Sequence, residues 1–180
     1  MSLSKDLEAE IRDLTARRDI HEAIYSYMRG QDRLMPEVQR SAFHDDAHVD
    51  CGLFDGGPDA YVDFAQGFLS ELKSSQHIIG QIHLNIDGDV ADGEVYFFAH
   101  HRIVEDGEDK DMIVAGRYID RYENRNGAWK ITKRRELVDW ARTDPVADGF
   151  LRENPAVRRG ARGQEDFSNT RNWPEVQARA

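Results

Sequence analysis

A chain of 180 residues with a formal net charge of −10 has the size of one domain and can bury a core without disulfides or metals. The acidic balance opposes nucleic-acid binding, because phosphate contacts need a basic surface, and its scatter along the chain reads as solubility. No run approaches the roughly 18 apolar residues of a membrane helix, the start MSLSKDLEAEIRDL lacks a signal-peptide core, and the lone Cys51 cannot close an intrachain disulfide, so a cytoplasmic protein is expected.

Leu7, Ile11 and Leu14 recur at helical spacing, with Asp6 and Glu8 early, where the helix dipole favours acids. Ile20, Ile24, Tyr27 and Met28 continue the stripe to Gly30, a helix-stopping residue, so one long or broken helix is expected over 4–29 with Asp32 just past its end. Pro36 can open a short helix running to Phe43. Gly57-Pro58 starts a third, in which Tyr61, Phe64, Ala65, Phe68, Leu69 and Leu72 make an apolar face.

From His77 the period changes to two. Segments 78–86, 91–104, 112–123 and 128–140 are rich in Ile, Val, Tyr and Phe. Asp87-Gly88-Asp89, Glu105 to Glu108 and Asn124 to Gly127 separate them, and Asn126-Gly127 is a hairpin signal. Residues 47–54 could add a short edge strand. Helices followed by a meander predict an α+β domain with the helices covering one face of an antiparallel sheet.

A tail over 144–180 differs, because Pro145, Gly149, Pro155, Gly160, Gly163 and Pro174 interrupt it and Arg158, Arg159 and Arg162 cluster there. We expect two parts, a domain over 1–143 and an extension over 144–180 docked on its own or a neighbouring subunit.

Several clusters could carry chemistry. His44-Asp45-Asp46-Ala47-His48 has the spacing of a zinc-binding H-E-x-x-H motif. It leaves a helix for a strand, however, and has Asp where that motif has Glu, so no metal site is expected. His100 and His101 are strand neighbours pointing to opposite faces and cannot act as a pair. Asp32 and His77 both fall at element ends, where rigid scaffolds present working groups. Side by side they would form a base, the carboxylate fixing the imidazole tautomer, but spacing alone leaves open whether they meet. Lys130, Thr132, Arg134 and Glu136 alternate on one strand face, and an inward Arg134 would be costly unless paired.

The order of these parts over about residues 7–140 resembles the SnoaL-like branch of the nuclear transport factor 2-like superfamily. The landmarks are Arg18-Asp19-Ile20, Gln31-Asp32, His77 to Gln81, Glu94 to Arg102, Gly116 to Tyr122, Gly127 to Ile131, Arg134 and Asp139-Trp140. That resemblance implies a cone-shaped α+β barrel, a strongly curved sheet closed at one end by the N-terminal helices around an apolar pocket. It further implies a cofactor-independent lyase in the manner of scytalone dehydratase, hexachlorocyclohexane dehydrochlorinase or bile-acid dehydratase.

On this resemblance Asp32 and His77 are the catalytic pair, Arg134 and Tyr27 match pocket residues, and His101 matches a second histidine used by scytalone dehydratase. Val49 stands where the dehydrochlorinase has a halogen-holding tryptophan, which argues against a haloalkane. Tyr25, Phe43, Phe68, Phe98 and Tyr118 would shape the cavity for a small hydrophobic cyclic or aromatic substrate. Elimination of water leads. Retro-aldol release of formaldehyde or isomerisation in the same pocket is the alternative reaction, and a non-catalytic small-molecule-binding or partner protein is the alternative class. Related enzymes form trimers, so a homo-oligomer, dimer or trimer, is expected.

Overall fold

The computed structural model describes residues 5–173, so Ser4 and Pro174, within the segments named above, lie outside the described residues. It divides after Val146 into two compact units.

The first unit begins with α1 (Lys5–Asp32), a 28-residue helix with Asp6 and Glu8 in its first turn and Arg29 in its last. Ile20, Ile24, Tyr27 and Met28 form its buried stripe, while Leu7, Ile11 and Leu14 remain exposed. Each large apolar side chain buried in this way stabilises the fold by about 1.5–3 kcal/mol.

Gly30 does not stop the helix. A Cβ there would lie 2.3 Å from the Gln39 backbone nitrogen, so glycine serves close packing of α1 on α2 (Pro36–Arg40), a shorter helix than expected. Past Met28 the apolar stripe gives way to Arg29, Gln31, Asp32 and Arg33. The chain then turns at Leu34, whose φ of 50° takes it out of the helical ladder.

After α2 come β1 (Phe43–Asp50), the two-residue β2 (Asp55–Gly56) and α3 (Pro58–Ser70). Four long strands complete the unit: β3 (Ser74–Asp87), β4 (Val90–Glu105), β5 (Glu108–Arg125) and β6 (Ala128–Pro145). Asn126 and Gly127 both have positive φ, 56° and 83°, as a two-residue hairpin requires.

The sheet order is β2-β1-β6-β5-β4-β3, and it does not close into a barrel. All pairings are antiparallel except β1 with β6, which is parallel. The segment expected at the edge thus lies one place inside it, with only β2 beyond.

Alternation on β6 is broken at one point that matters. Tyr122 pairs with Ile131, but the next β5 partner, Arg121, pairs with Lys133, which leaves Thr132 as an extra residue. A bulge of this kind changes which residues face inward. Trp129 and Ile131 are buried before it and Arg134 after it, so odd and even positions share one face.

The second unit holds α4 (Gly149–Glu153), a single 3-10 turn at Gly163–Glu165 and α5 (Phe167–Thr170). Asp166 caps α5 by accepting from Ser168 N, and the Phe167 and Trp173 rings meet edge-on at 4.7 Å.

Candidate active site

Asp32 is the last residue of α1, and His77 lies early in β3. The α1–α2 contact at Gly30 holds this helix end, reinforced by Met35 N donating to Gly30 O (2.9 Å) and Gln66 Nε2 donating to Gly30 O (3.1 Å).

The Asp32 carboxylate accepts three bonds from one residue. His77 N lies 3.1 and 3.0 Å from its two oxygens, and His77 Nδ1 lies 2.8 Å from Oδ1. The two side chains are 11% and 6% exposed, so water competes little for these bonds. A carboxylate is acceptor-only, so Nδ1 carries the proton and donates it, and in the neutral imidazole Nε2 then keeps its lone pair. Asp32 stands at the negative pole of α1, so its charge gains nothing from the helix and leans on His77 instead.

His101 packs beside this pair, its ring 5.3 Å from that of His77 and steeply tilted to it. Phe68 of α3 stands edge-on to His101 at 5.8 Å and is itself half exposed.

Deeper in the sheet, Arg134 is wholly buried. Its Nε and Nη2 donate to the two oxygens of Asp120 at 2.8 and 2.6 Å, and Tyr122 OH donates to the same carboxylate at 2.6 Å. The Tyr27 and Tyr118 rings cover its guanidinium, each centred 4.1 Å from Cζ, with Phe43 at 5.8 Å. Cation–π contacts of this kind gain strength from desolvation. Burial opposes the charge on Arg134, but the Asp120 charge and hydrogen bonds outweigh it and push the pKa well above the usual arginine value. Nη1 is buried and has no hydrogen-bond partner among the described residues.

Tyr27 OH meets Tyr61 OH at 2.5 Å. Burial raises the pKa of both phenols, so they are neutral hydroxyls at ordinary pH.

Glu136, two residues beyond Arg134, is partly buried and pairs across the sheet with Tyr118. Burial raises its carboxyl pKa, while Arg134 and then His77 pull it back down.

Tyr27, Phe43 and Tyr118 therefore gather around Arg134, and Phe68 stands beside His101. Two expected cavity residues do not join them. Tyr25 is 49% exposed on the outer side of α1, because the buried stripe runs through Ile24, Tyr27 and Met28. Phe98 is 38% exposed because its β4 neighbours Phe97 and Ala99 take the inner face, and it packs on Trp140 at 6.2 Å.

Sequence reasoning misses Asp120, Tyr61, Tyr122 and Glu136 as site residues. Asp120 carries a signal, a charged residue between two tyrosines on an apolar strand face. The pairing of Tyr61 with Tyr27 carries none, since it joins two helices.

Two surface grooves lie elsewhere. One of about 620 Å³ runs between the α1 residues Ile11 to Asp19 and the turns at Gly88 and Gly127, and one of about 650 Å³ runs from Arg17 over His83 to Ile119. No cluster of three or more His, Cys, Asp or Glu side chains suited to a metal occurs among the described residues. In β1, His44 instead bonds the Glu123 carbonyl (2.9 Å) and His48 pairs with Asp55 (3.0 Å). No described helix is long and apolar enough to cross a membrane.

The model of the SnoaL-like domain family matches residues 12–135, a stretch that includes Asp32, His77 and Arg134. The chain belongs to the SnoaL-like family. Solved structures with the same fold include a proposed scytalone dehydratase from Novosphingobium aromaticivorans, 23% identical, covering 75% of this chain and 91% of that one with a TM-score of 0.65. A hexachlorocyclohexane dehydrochlorinase from Novosphingobium barchaimii is 21% identical over 77% of this chain and 95% of that one, with a TM-score of 0.68. A proposed aromatic-ring hydroxylase from Novosphingobium aromaticivorans, 18% identical, covers 75% and 96% of the two chains at a TM-score of 0.63. None of the curated proteins matches the chain. At these identities the likeness establishes the SnoaL-like fold, and one fold serves many chemistries.

Proposed function

We propose that this SnoaL-like protein is a cofactor-independent lyase that eliminates water from a small hydrophobic cyclic substrate. The observation that carries the reading is the Asp32–His77 pair, with Nδ1 held at 2.8 Å by a carboxylate and Nε2 left as an acceptor. Imidazole ordinarily titrates near pH 6.5, which suits it as a base for a carbon acid at neutral pH. When Nε2 takes a proton from carbon, Asp32 stabilises the imidazolium that forms.

His101 and Tyr27 are the candidates to bind the substrate oxygen. Arg134, whose Nη1 is outside the Asp120 pair, places positive charge behind them, where a dry interior strengthens its effect on developing negative charge. Similarity to a dehydratase and a dehydrochlorinase, both elimination enzymes by name, supports elimination over other chemistry on this fold.

The test is Asp32→Asn and His77→Ala against hydroxylated cyclic ketones, with product mass recorded. Each change is expected to lower turnover by about 100-fold or more. Loss of one water from the substrate supports elimination, whereas a free aldehyde supports carbon–carbon cleavage. Activity that survives both changes removes the base.

We also propose that the protein is a homo-oligomer. Ile78, Phe98, Ala115 and Trp140 form a continuous row across four strands on the outer sheet face, with Ile78, Phe98 and Trp140 53%, 38% and 48% exposed. An apolar row of this kind favours burial against another surface. A monomer mass by light scattering at micromolar concentration would refute this.

A further inference from the structure

The Glu136 side chain has no hydrogen-bond or ion-pair partner among the described residues. Arg134 and Glu136 stand opposite Asp120 and Tyr118 in the antiparallel β5–β6 pair, and both of those partners are nearly fully buried. Directly opposed residues project on the same face with Cβ atoms about 4.5–5.5 Å apart, so Glu136 occupies the inner face. Arg134 on that face is paired with Asp120 through Nε and Nη2, whereas the Glu136 carboxyl makes no hydrogen bond or ion pair among the described residues.

Tyr118 on β5 stands opposite Glu136, the charges of Arg134 on its own strand and His77 on β3 act on its carboxyl, and its charge in turn acts on Tyr27 of α1, Tyr61 of α3 and Cys51 after β1. A partly buried carboxyl without a partner is a candidate functional group.

We propose that Glu136 is the general acid of this site, giving its proton to the departing oxygen while His77 takes one from carbon. The proposal rests on His77 as the base. In the step, the C–H bond breaks and its electron pair becomes the new C=C bond. The C–O bond of the leaving hydroxyl breaks, and its oxygen takes the Glu136 proton to leave as water. Imidazolium and carboxylate remain, and transfer of the His77 proton to Glu136, directly or through that water, restores the resting state. Burial of Glu136 holds its proton to a higher pH than an ordinary glutamate, as an acid working opposite a neutral imidazole needs.

The experiment compares two probes, 3-hydroxy-1-tetralone and 3-acetoxy-1-tetralone, which form 1-naphthol by losing water and acetic acid respectively. Acetate leaves without prior protonation. Glu136→Gln is expected to lower kcat/KM for the hydroxy compound by about 100-fold and to leave the acetate nearly unchanged, while His77→Ala slows both. Equal losses on both probes, or no loss on the hydroxy probe, overturn Glu136 as the acid. A wild-type protein that converts neither probe, or a His77→Ala variant that converts both normally, overturns instead the base reading beneath it.

A second measurement needs no turnover. A carbon-13 titration of the side-chain carboxyls, with Glu136 assigned from its loss in Glu136→Gln, should place it above an ordinary glutamate. His77→Ala should raise it further wherever His77 is protonated. Titration at or below the ordinary glutamate value overturns the proposal.

Discussion

The Arg134–Asp120 pair is the feature of the interior most sensitive to a one-atom change. Asp120→Asn keeps the side-chain shape but removes the charge that offsets a guanidinium with 0% side-chain exposure. Three donors converge on Asp120, namely Arg134 Nε, Arg134 Nη2 and Tyr122 OH, and an amide group offers only one accepting oxygen. Its NH₂ then faces a donor where an acceptor is needed. Breaking a buried pair by removing one partner costs about 3–5 kcal/mol. At roughly 2–4 °C per kcal/mol for a domain of this size, the melting temperature should fall by about 6–20 °C.

Urea unfolding followed by circular dichroism measures the cost, with the double variant Asp120→Leu/Arg134→Met as the control. Desolvation of both charges offsets most of their attraction, so the double variant should be more stable than Asp120→Asn alone. A loss below about 1 kcal/mol for Asp120→Asn, or a double variant less stable than Asp120→Asn, would refute this account of the interior.

Glu136→Gln should stabilise the protein at neutral pH. The folded-state pKa of Glu136 is raised, so the folded protein holds the proton more tightly than the unfolded chain. Wild-type stability therefore falls as pH climbs from the unfolded glutamate value of about 4.3 through the folded one, and melting at pH 4 and pH 7 should show the variant's gain only at the higher pH. Gly30→Ala should cost about 1–3 kcal/mol or more, because its Cβ meets backbone rather than a movable side chain, and it should slow turnover by displacing Asp32 two residues on. Unchanged melting and kinetics would show that α2 yields freely. Deleting Thr132 removes the bulge but leaves Lys133 opposite Arg121 and Arg134 opposite Asp120, so the deletion variant should still fold cooperatively with Arg134 inside, and loss of folding would contradict the assigned register.

The order of elements is legible because each rests on local chemistry. The 3.6-residue stripe of α1, Pro36 and Pro58 at helix starts and Asn126-Gly127 at the last turn all act within a few residues. Strand ends read short for a physical reason. β5 and β6 continue through Asp109, Lys110, Asp111, Arg142 and Asp144, where alternation of apolar residues fades but the backbone ladder persists to the Lys110–Pro145 pair. The parallel pairing of β1 with β6 is hidden, because a strand's hydrophobic pattern does not name its partner.

Local patterns suffice for an α+β chain with Asp32 near a helix end, His77 entering the first long strand and Arg134 on the last. Long-range packing is what makes Asp32 and His77 meet at 2.8 Å, sets Asp120 against Arg134 and carries Tyr27 to Tyr61. Those contacts join residues 14 to 45 positions apart, and no local rule links them. The sharpest case is the single extra residue at Thr132: strict alternation sets Ile131 and Arg134 on opposite faces, and a bulge that only strand pairing can create brings both inside.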